Sequence, residues 1–386
     1  MYYRWMFGFA MGVYLFVVGC AWVSPTPVNE GPSGRGSSVS VSADSPRKMV
    51  EGLPYRAIGM QIQRIDWMDR YKQSIDEIAA VGADTVKFVV DARQENGGSS
   101  RIYMDIRTTP TPAQLSDLIL YAKKKNLRVI LMPIVLLDKP RGNEWRGKID
   151  PEGSFGWDNW WDSYRDMLWH YSWIAQSTGV DILVIGSELV STESQTDQWL
   201  TTIEKVRQWY KGKITYSANW DHYTAVRFWD KLDFVGMNSY WKLGDDRDVP
   251  IERIVENWRK IQSEVLPFVE KTGKPLLLTE VGWCSMANMA HQPWDYTKSE
   301  AIAPTDPDLQ RKLYEGFFEA WYGNPLLGGL SIWEWTPEPD SQDVEGQKKK
   351  KRGYTPEGKP AEQVLKTWFA KPWTTLSRDS GVGSKG

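Results

Sequence analysis

The stretch DILVIGSEL, Asp181 to Leu189, holds four unbroken apolar residues, Ile182 to Ile185, and then a carboxylic acid, Glu188. An apolar run this short, bounded by polar residues, reads as a buried strand. KPLLLTEVGW, Lys274 to Trp283, repeats the pattern and places Glu280 after three leucines. Outward from these two, short apolar runs alternate with longer amphipathic ones from about residue 55, as βα units around a parallel sheet require. The runs are Ala57–Gln61, Thr85–Val90, Arg128–Pro133, Ile182–Ile185, Ile214–Ser217, Phe234–Asn238, Leu276–Glu280 and Gly329–Trp333. Helices are expected over Trp67–Ala80, Thr111–Lys125, Trp157–Ser177, Ser194–Tyr210, Thr224–Trp229, Ile251–Lys271, Asp308–Trp321 and Ala361–Phe369. Gly82, Gly179 and Gly212 follow three of them as C-caps, and Thr111-Pro112 opens another. Eight such units without an internal repeat predict an α/β fold, a (β/α)8 barrel in a single domain over residues 51–372. A doubly wound open sheet is the alternative, but no glycine-rich phosphate loop follows the first strand.

In a barrel of this kind the chemistry gathers at the C-terminal ends of the strands. Glu188 ends strand four and Glu280 ends strand seven. A carboxylate beside apolar side chains is costly to bury. Each acid alone fits an ion pair with a rim Arg or Lys as well as it fits catalysis. Together they fit glycoside hydrolysis, in which one carboxyl protonates the leaving oxygen and the other attacks the anomeric carbon. A separation of about 5–5.5 Å gives retention through a covalent glycosyl-enzyme. The two pKa values must then differ: the acid should sit in an apolar setting or beside the other's negative charge, and the nucleophile should receive hydrogen bonds that keep it ionised.

Composition narrows the classes. The chain has 386 residues, 41% hydrophobic and 25% charged, which suits one large core. A formal net charge of −2 supplies no basic footprint for nucleic acid. The 22 tryptophans fit stacking on sugar rings, although an aromatic-rich core must account for most of them. The two cysteines, Cys20 and Cys284, build no disulfide framework. The three histidines, His170, His222 and His291, lack metal-ligand spacing. No metal and no cofactor are expected, and the chain is expected to act as a monomer. The run KKKKR, Lys348–Arg352, reads as a solvated charge cluster in a polar loop after strand eight.

Residues 1–23 read as an export signal: Arg4, then an apolar stretch from Trp5 to Gly19, ending in VVGC, Val17 to Cys20. A small residue before cysteine resembles the lipobox of bacterial lipoproteins, with Cys20 as the lipidated residue. An uncleaved membrane anchor is the alternative. Either reading puts the rest of the chain outside the cytoplasm, facing the periplasm or cell exterior. Residues 24–50, rich in Ser, Pro and Gly as far as Ser45, read as a flexible linker, and residues 373–386 as a disordered tail.

From about residue 55 to 340 the chain resembles clan A of the glycoside hydrolases, and more closely family 113, known for endo-β-1,4-mannanases. The landmarks are IGSELVSTE (Ile185–Glu193), FWDKLDFVGMNSYWKL (Phe228–Leu243), TEVGW (Thr279–Trp283), WEW (Trp333–Trp335) and the segment Gln94–Leu115. The resemblance implies Glu188 as acid/base, Glu280 as nucleophile, and Tyr240 donating a hydrogen bond to Glu280. It implies Trp333, or alternatively Trp335, as the floor under the sugar at the cleavage point. Trp220, Trp241 and Trp283 lie just past strand ends, where subsites form, and Asn219 and Asn238 offer polar contacts. Glu334 is expected to face away from Trp333 in a structural role. Two positions depart from the pattern. Ser187 stands where many clan members have the Asn that bonds the sugar 2-hydroxyl; as a substrate contact, serine can still form that bond with a shorter reach. Met132-Pro133-Ile134 stands where the family has Lys-Pro-His, which removes a cation and an imidazole from the rim. The expected substrate is a β-linked glycan, with mannan leading. A silent carbohydrate-binding lipoprotein and a transglycosylase are the alternatives.

Overall fold

The computed structural model describes residues 49–245, 248–294 and 303–373. The expected signal, Cys20, the linker as far as residue 48 and the tail from residue 374 lie outside the described residues. Eight parallel strands close into a barrel: β1 (Tyr55–Ile62), β2 (Thr85–Gln94), β4 (Arg128–Leu137), β5 (Ile182–Ser187), β6 (Lys213–Ala218), β7 (Val235–Asn238), β8 (Leu276–Val281) and β9 (Leu327–Ile332). β1 pairs with both β2 and β9, which shuts the ring. A two-residue strand, β3 (Ile102–Tyr103), adds antiparallel to the end of β2.

The unbroken apolar runs follow from burial on both faces of the strands. In β5, Ile182 and Val184 belong to an inner cluster with Ala57, Val89, Ile130 and Leu277, which fills the barrel. Leu183 and Ile185 belong to the larger outer cluster, packed with residues of the surrounding helices. Those helices are α1 (Met68–Val81), α2 (Pro112–Lys124), α3 (Gly156–Thr178), α4 (Thr196–Trp209), α5 (Ile251–Thr272), α6 (Pro307–Trp321), α7 (Val344–Arg352) and α8 (Pro360–Phe369). Gly82 and Gly179 take left-handed φ of 102° and 68° as C-caps. Thr111 and Gln114 form a reciprocal capping box on α2. Nine of the described tryptophans are buried in the core, and Trp160, Trp161, Trp199, Trp258 and Trp321 wholly so.

Two expectations about elements fail. Thr224–Trp229 is not a helix; turns lead there into a short 3-10 turn, Trp229–Lys231. A six-residue segment is too short to repay helix nucleation, and buried Phe228 instead stacks on Trp199 of α4 at 5.1 Å. The KKKKR run is the last turn of helix α7, not a loop. Asp343 caps the helix by accepting from the Gly346 N–H at 2.9 Å, and cations suit a helix C-terminus. Lys350 pairs with Glu338 and, at 2.6 Å, with Glu357. Arg352 donates to the Ala303 carbonyl at 2.7 Å.

Candidate active site

A cleft of about 1200 Å³ opens at the C-terminal mouth of the barrel. Strand alternation brings most of its lining there. On β4 the period of two faces Met132, Ile134 and Leu136 into the cleft as an apolar shelf. Asn238 ends β7, and Tyr240 follows two residues on. Trp333 follows β9, and Lys87 Nζ lies 4.8 Å from its ring centroid.

Glu280 reaches the cleft through an irregularity. Leu277 points into the barrel, so strict alternation would aim Glu280 at the helices. The register with β9 shifts between Leu278 and Val281, and such a shift re-aims a side chain. Glu280 is 6% exposed and accepts a hydrogen bond from Tyr240 Oη at 2.7 Å. Burial raises its pKa, and the nearby Glu188 charge adds to the rise, while the Lys87 cation and the Tyr240 hydroxyl oppose it. The Tyr240 hydroxyl is itself pushed well up by burial and by the Glu280 charge, so it stays protonated as a donor.

Glu188 follows β5 in a left-handed conformation, φ 55°, uncommon for a residue with a side chain. The turn is held by Glu188 N–H donating to the Ser217 carbonyl at 2.9 Å and Leu189 N–H donating to Tyr216 Oη at 3.0 Å. Both carboxylate oxygens of Glu188 are engaged. Arg146 donates to Oε2 through Nη2 at 2.7 Å and Nε at 3.1 Å. Asn238 Nδ2 donates to Oε1 at 2.5 Å and to Asn219 Oδ1 at 3.0 Å, while Asn238 Oδ1 accepts from the Trp220 N–H.

The cleft brings together Glu188, Glu280, Tyr240, Trp333, Trp220, Asn219 and Asn238. It leaves the other expected sugar contacts outside. Trp283 is wholly buried, edge-on to Tyr314 of α6 at 5.1 Å. Trp335 is 1% exposed, and its indole N–H donates to Glu77 of α1 at 2.9 Å. Alternation does not carry Trp335 to the same side as Trp333, because β9 ends at Ile332. Trp241 stands behind Trp220, with ring centroids 5.8 Å apart, and packs on buried Trp258. The Ser187 hydroxyl is buried, is without a hydrogen-bond partner and lines no part of the cleft.

Glu334 does the opposite of what was expected. Its carboxylate lines the cleft and accepts from Gln61 Nε2 at 2.8 Å. Burial raises its pKa to about 7, and the Glu280 charge adds to the rise. Arg146, Trp145, Asn143 and Trp294 also line the cleft, and none was singled out from sequence. Nor was Lys87. This lysine is wholly buried in the barrel, and its ammonium donates to the Thr279 carbonyl at 2.6 Å. Burial lowers its pKa to about 8, with Glu280, Glu334 and Glu188 acting against the fall. A signal existed: Lys87 is the one charge within TVKFVV, and its register partner is Gly59. A Cβ on Gly59 would lie 2.8 Å from Lys87 Cε, so the glycine makes the room.

Paired acids beside an aromatic floor are the equipment of a glycosidase, and the comparisons agree. The family model for Glycoside Hydrolase Family 113 matches residues 57–359. The chain belongs to that family. A family 113 β-1,4-mannanase superposes with TM-score 0.71 at 26% identity, covering 84% of this chain and 100% of its own. The family 113 β-mannanase of Alicyclobacillus acidocaldarius, solved with ManMIm, gives TM-score 0.71 at 28% identity, with 82% and 97% covered. A family 5 subfamily 18 structure from Streptomyces cattleya shares the fold, with TM-score 0.52 at 11% identity and 84% and 82% covered. No curated protein matches the chain. As a family 113 member the protein is a glycosidase. Among the described residues no group of His, Cys, Asp or Glu is placed to hold a metal ion, and no helix is long and apolar enough to cross a membrane.

Proposed function

We propose that the protein is a retaining endo-β-1,4-mannanase, with Glu280 as nucleophile, Glu188 as acid/base and Tyr240 as the donor that steadies Glu280. The observation that carries this reading is the buried Glu280 carboxylate, bonded by Tyr240 at 2.7 Å and close enough to Glu188 to feel its charge. Glu280 attacks the anomeric carbon as Glu188 passes a proton to the departing glycosidic oxygen. Glu188, now a carboxylate, then takes a proton from the water that releases the sugar. Trp333 floors the cleavage subsite and Trp220 a neighbouring one; Asn219 and Asn238 offer hydrogen bonds to hydroxyls. The mannanases among the similar structures favour mannan.

The test pairs product stereochemistry with two variants. The first-formed product of mannohexaose, read by proton NMR, is expected to be the β-anomer. Glu188→Ala and Glu280→Ala are expected to lose roughly a thousandfold or more of kcat on mannan. Azide is expected to restore turnover of an activated aryl β-mannobioside by Glu188→Ala as a β-glycosyl azide. An α-anomer as first product, or full activity in either variant, rules the reading out.

We also place this glycosidase outside the cytoplasm, as a monomer tethered through a lipid on Cys20. The support is the Arg4, apolar run and VVGC order of residues 1–20. Fatty-acid labelling in a bacterial host is expected to mark the wild type and not Cys20→Ala; labelling of both removes the anchor.

A further inference from the structure

Exposed tryptophans are confined to two places among the described residues. Trp145 and Trp294, 38% and 46% exposed, line the catalytic cleft. The other two are Trp169 and Trp173 on α3, 52% and 56% exposed. They are one helical turn apart and so lie on one face, about 6 Å apart along the axis. Beside them, between α3 and β3, lies a second cavity of about 430 Å³, whose walls include Tyr103, Asp166, Trp169 and His170. We propose that this groove, with Trp169 and Trp173 as stacking platforms, is a second carbohydrate site that holds a stretch of neutral β-linked polysaccharide outside the catalytic cleft. The polysaccharide is that of the proposed function, and the site rests on that reading.

Three features select this occupant. Large exposed aromatic surface is uncommon on a monomer unless something covers it, and indole faces suit the C–H faces of pyranose rings. The groove also holds polar groups with capacity to spare. His170 Nε2 is buried without a hydrogen-bond partner, and burial lowers the imidazole pKa, so the ring is neutral near pH 7. Asp166 is an exposed acceptor. The charge of α3 argues against an anionic lipid surface: Asp158, Asp162 and Asp166 are exposed, while its only Lys or Arg, Arg165, is buried and donates to Thr202. Indole faces with neutral and anionic acceptors are the chemistry of hydroxyl-rich, uncharged ligands.

A hydrogen bond ties the loop that leads into the groove to the loop that leads into the cleft. The loop before β3 donates from Gly97 N–H to Glu144 at 3.0 Å, one residue before Trp145. A polymer chain held on α3 is kept on the same molecule as the cleft, and binding there raises the local concentration of cleavable chain.

The test uses the full-length protein in detergent and native-gel retardation by soluble galactomannan. Trp169→Ala/Trp173→Ala is expected to weaken retardation roughly tenfold, at stacking energies typical of aromatic contacts. Its kcat/KM on an aryl β-mannobioside, too short to span both sites, is expected to stay at wild type. Retardation equal to wild type overturns the site. So does a dimer by sedimentation that the double variant loses while retardation holds, because a second copy is then the occupant. If the double variant fails to fold, Asp166→Asn takes its place, and unchanged retardation there overturns the proposal. Retardation that depends on Trp169 in a protein that hydrolyses no β-mannoside supports the site and sinks the mannanase reading. Hydrolysis of galactomannan without any retardation of the wild type does the reverse.

Discussion

At the residue scale the least expected group is Lys87. It puts a cation inside an apolar barrel and donates to the carbonyl of Thr279, the residue before Glu280. In the proposed role of nucleophile a buried Glu280 faces a conflict: burial makes a carboxylate hold its proton, yet attack needs the anion. Lys87 first, then Tyr240 and Arg146, oppose the burial of Glu280, which still lies above its ordinary value. Lys87→Met removes the cation and keeps the bulk. The sign follows: less positive charge raises the Glu280 pKa, so more acid-side protons must leave before attack. The acid limb of kcat/KM is expected to move up by on the order of one pH unit. Activity at pH 5 is then expected to fall about tenfold against a smaller change at pH 7. An acid limb that stays in place shows that Lys87 does not act through Glu280.

At the scale of elements, the strands and seven of the eight expected helices were legible because their apolar periodicity is set by burial on known faces. α5, for example, begins at Ile251 as expected and ends at Thr272, one residue beyond. Thr224–Trp229 misled because buried Val226 and Trp229 stand at i, i+3 spacing, while the β6–β7 connection is closed by a turn. The site was legible in part for the same reason. Glu188 and Glu280 stand at the ends of recognisable strands, and Tyr240 keeps the parity of Asn238. Beyond the ends of β8 and β9 parity fails. Trp283 and Trp335 leave β8 and β9 toward the helices, and Glu334 enters the cleft against expectation. Arg146 was illegible for another reason. It stands 42 residues from Glu188 at the start of a short 3-10 turn, Arg146–Lys148, and its contact depends on a fold-back that no local pattern encodes.

At the scale of the whole molecule the two ends of the barrel do different work. The C-terminal mouth holds the acids, and the opposite face holds a buried charge network at the starts of three neighbouring strands. Asp84, just before β2, has no exposed side-chain surface and pairs with Arg56 of β1 at 2.8 Å and Arg128 of β4 at 2.6 Å. Arg56 also donates to the Phe369 carbonyl at 2.6 Å, which ties the end of α8 to the barrel. Burial works against the Asp84 charge, but Arg128, the Thr85 hydroxyl and Arg56 together hold the carboxyl below its ordinary value. A carboxylate with a lowered folded pKa adds stability above its unfolded pKa, near 4, and loses it as pH falls through the folded value. Asp84→Asn leaves two guanidinium groups facing a neutral amide, one of them buried, and is expected to cost about 3–5 kcal/mol at pH 7. Calorimetry is expected to show a Tm lowered by several degrees at pH 7, with the gap to wild type narrowing as pH falls below 4. At 25 °C and pH 7 the folded variant is expected to keep its kcat/KM, because the network lies at the far end of the strands from Glu188 and Glu280. A variant that keeps its Tm but loses activity would instead mean that charge at the closed end reaches the catalytic mouth along the strands.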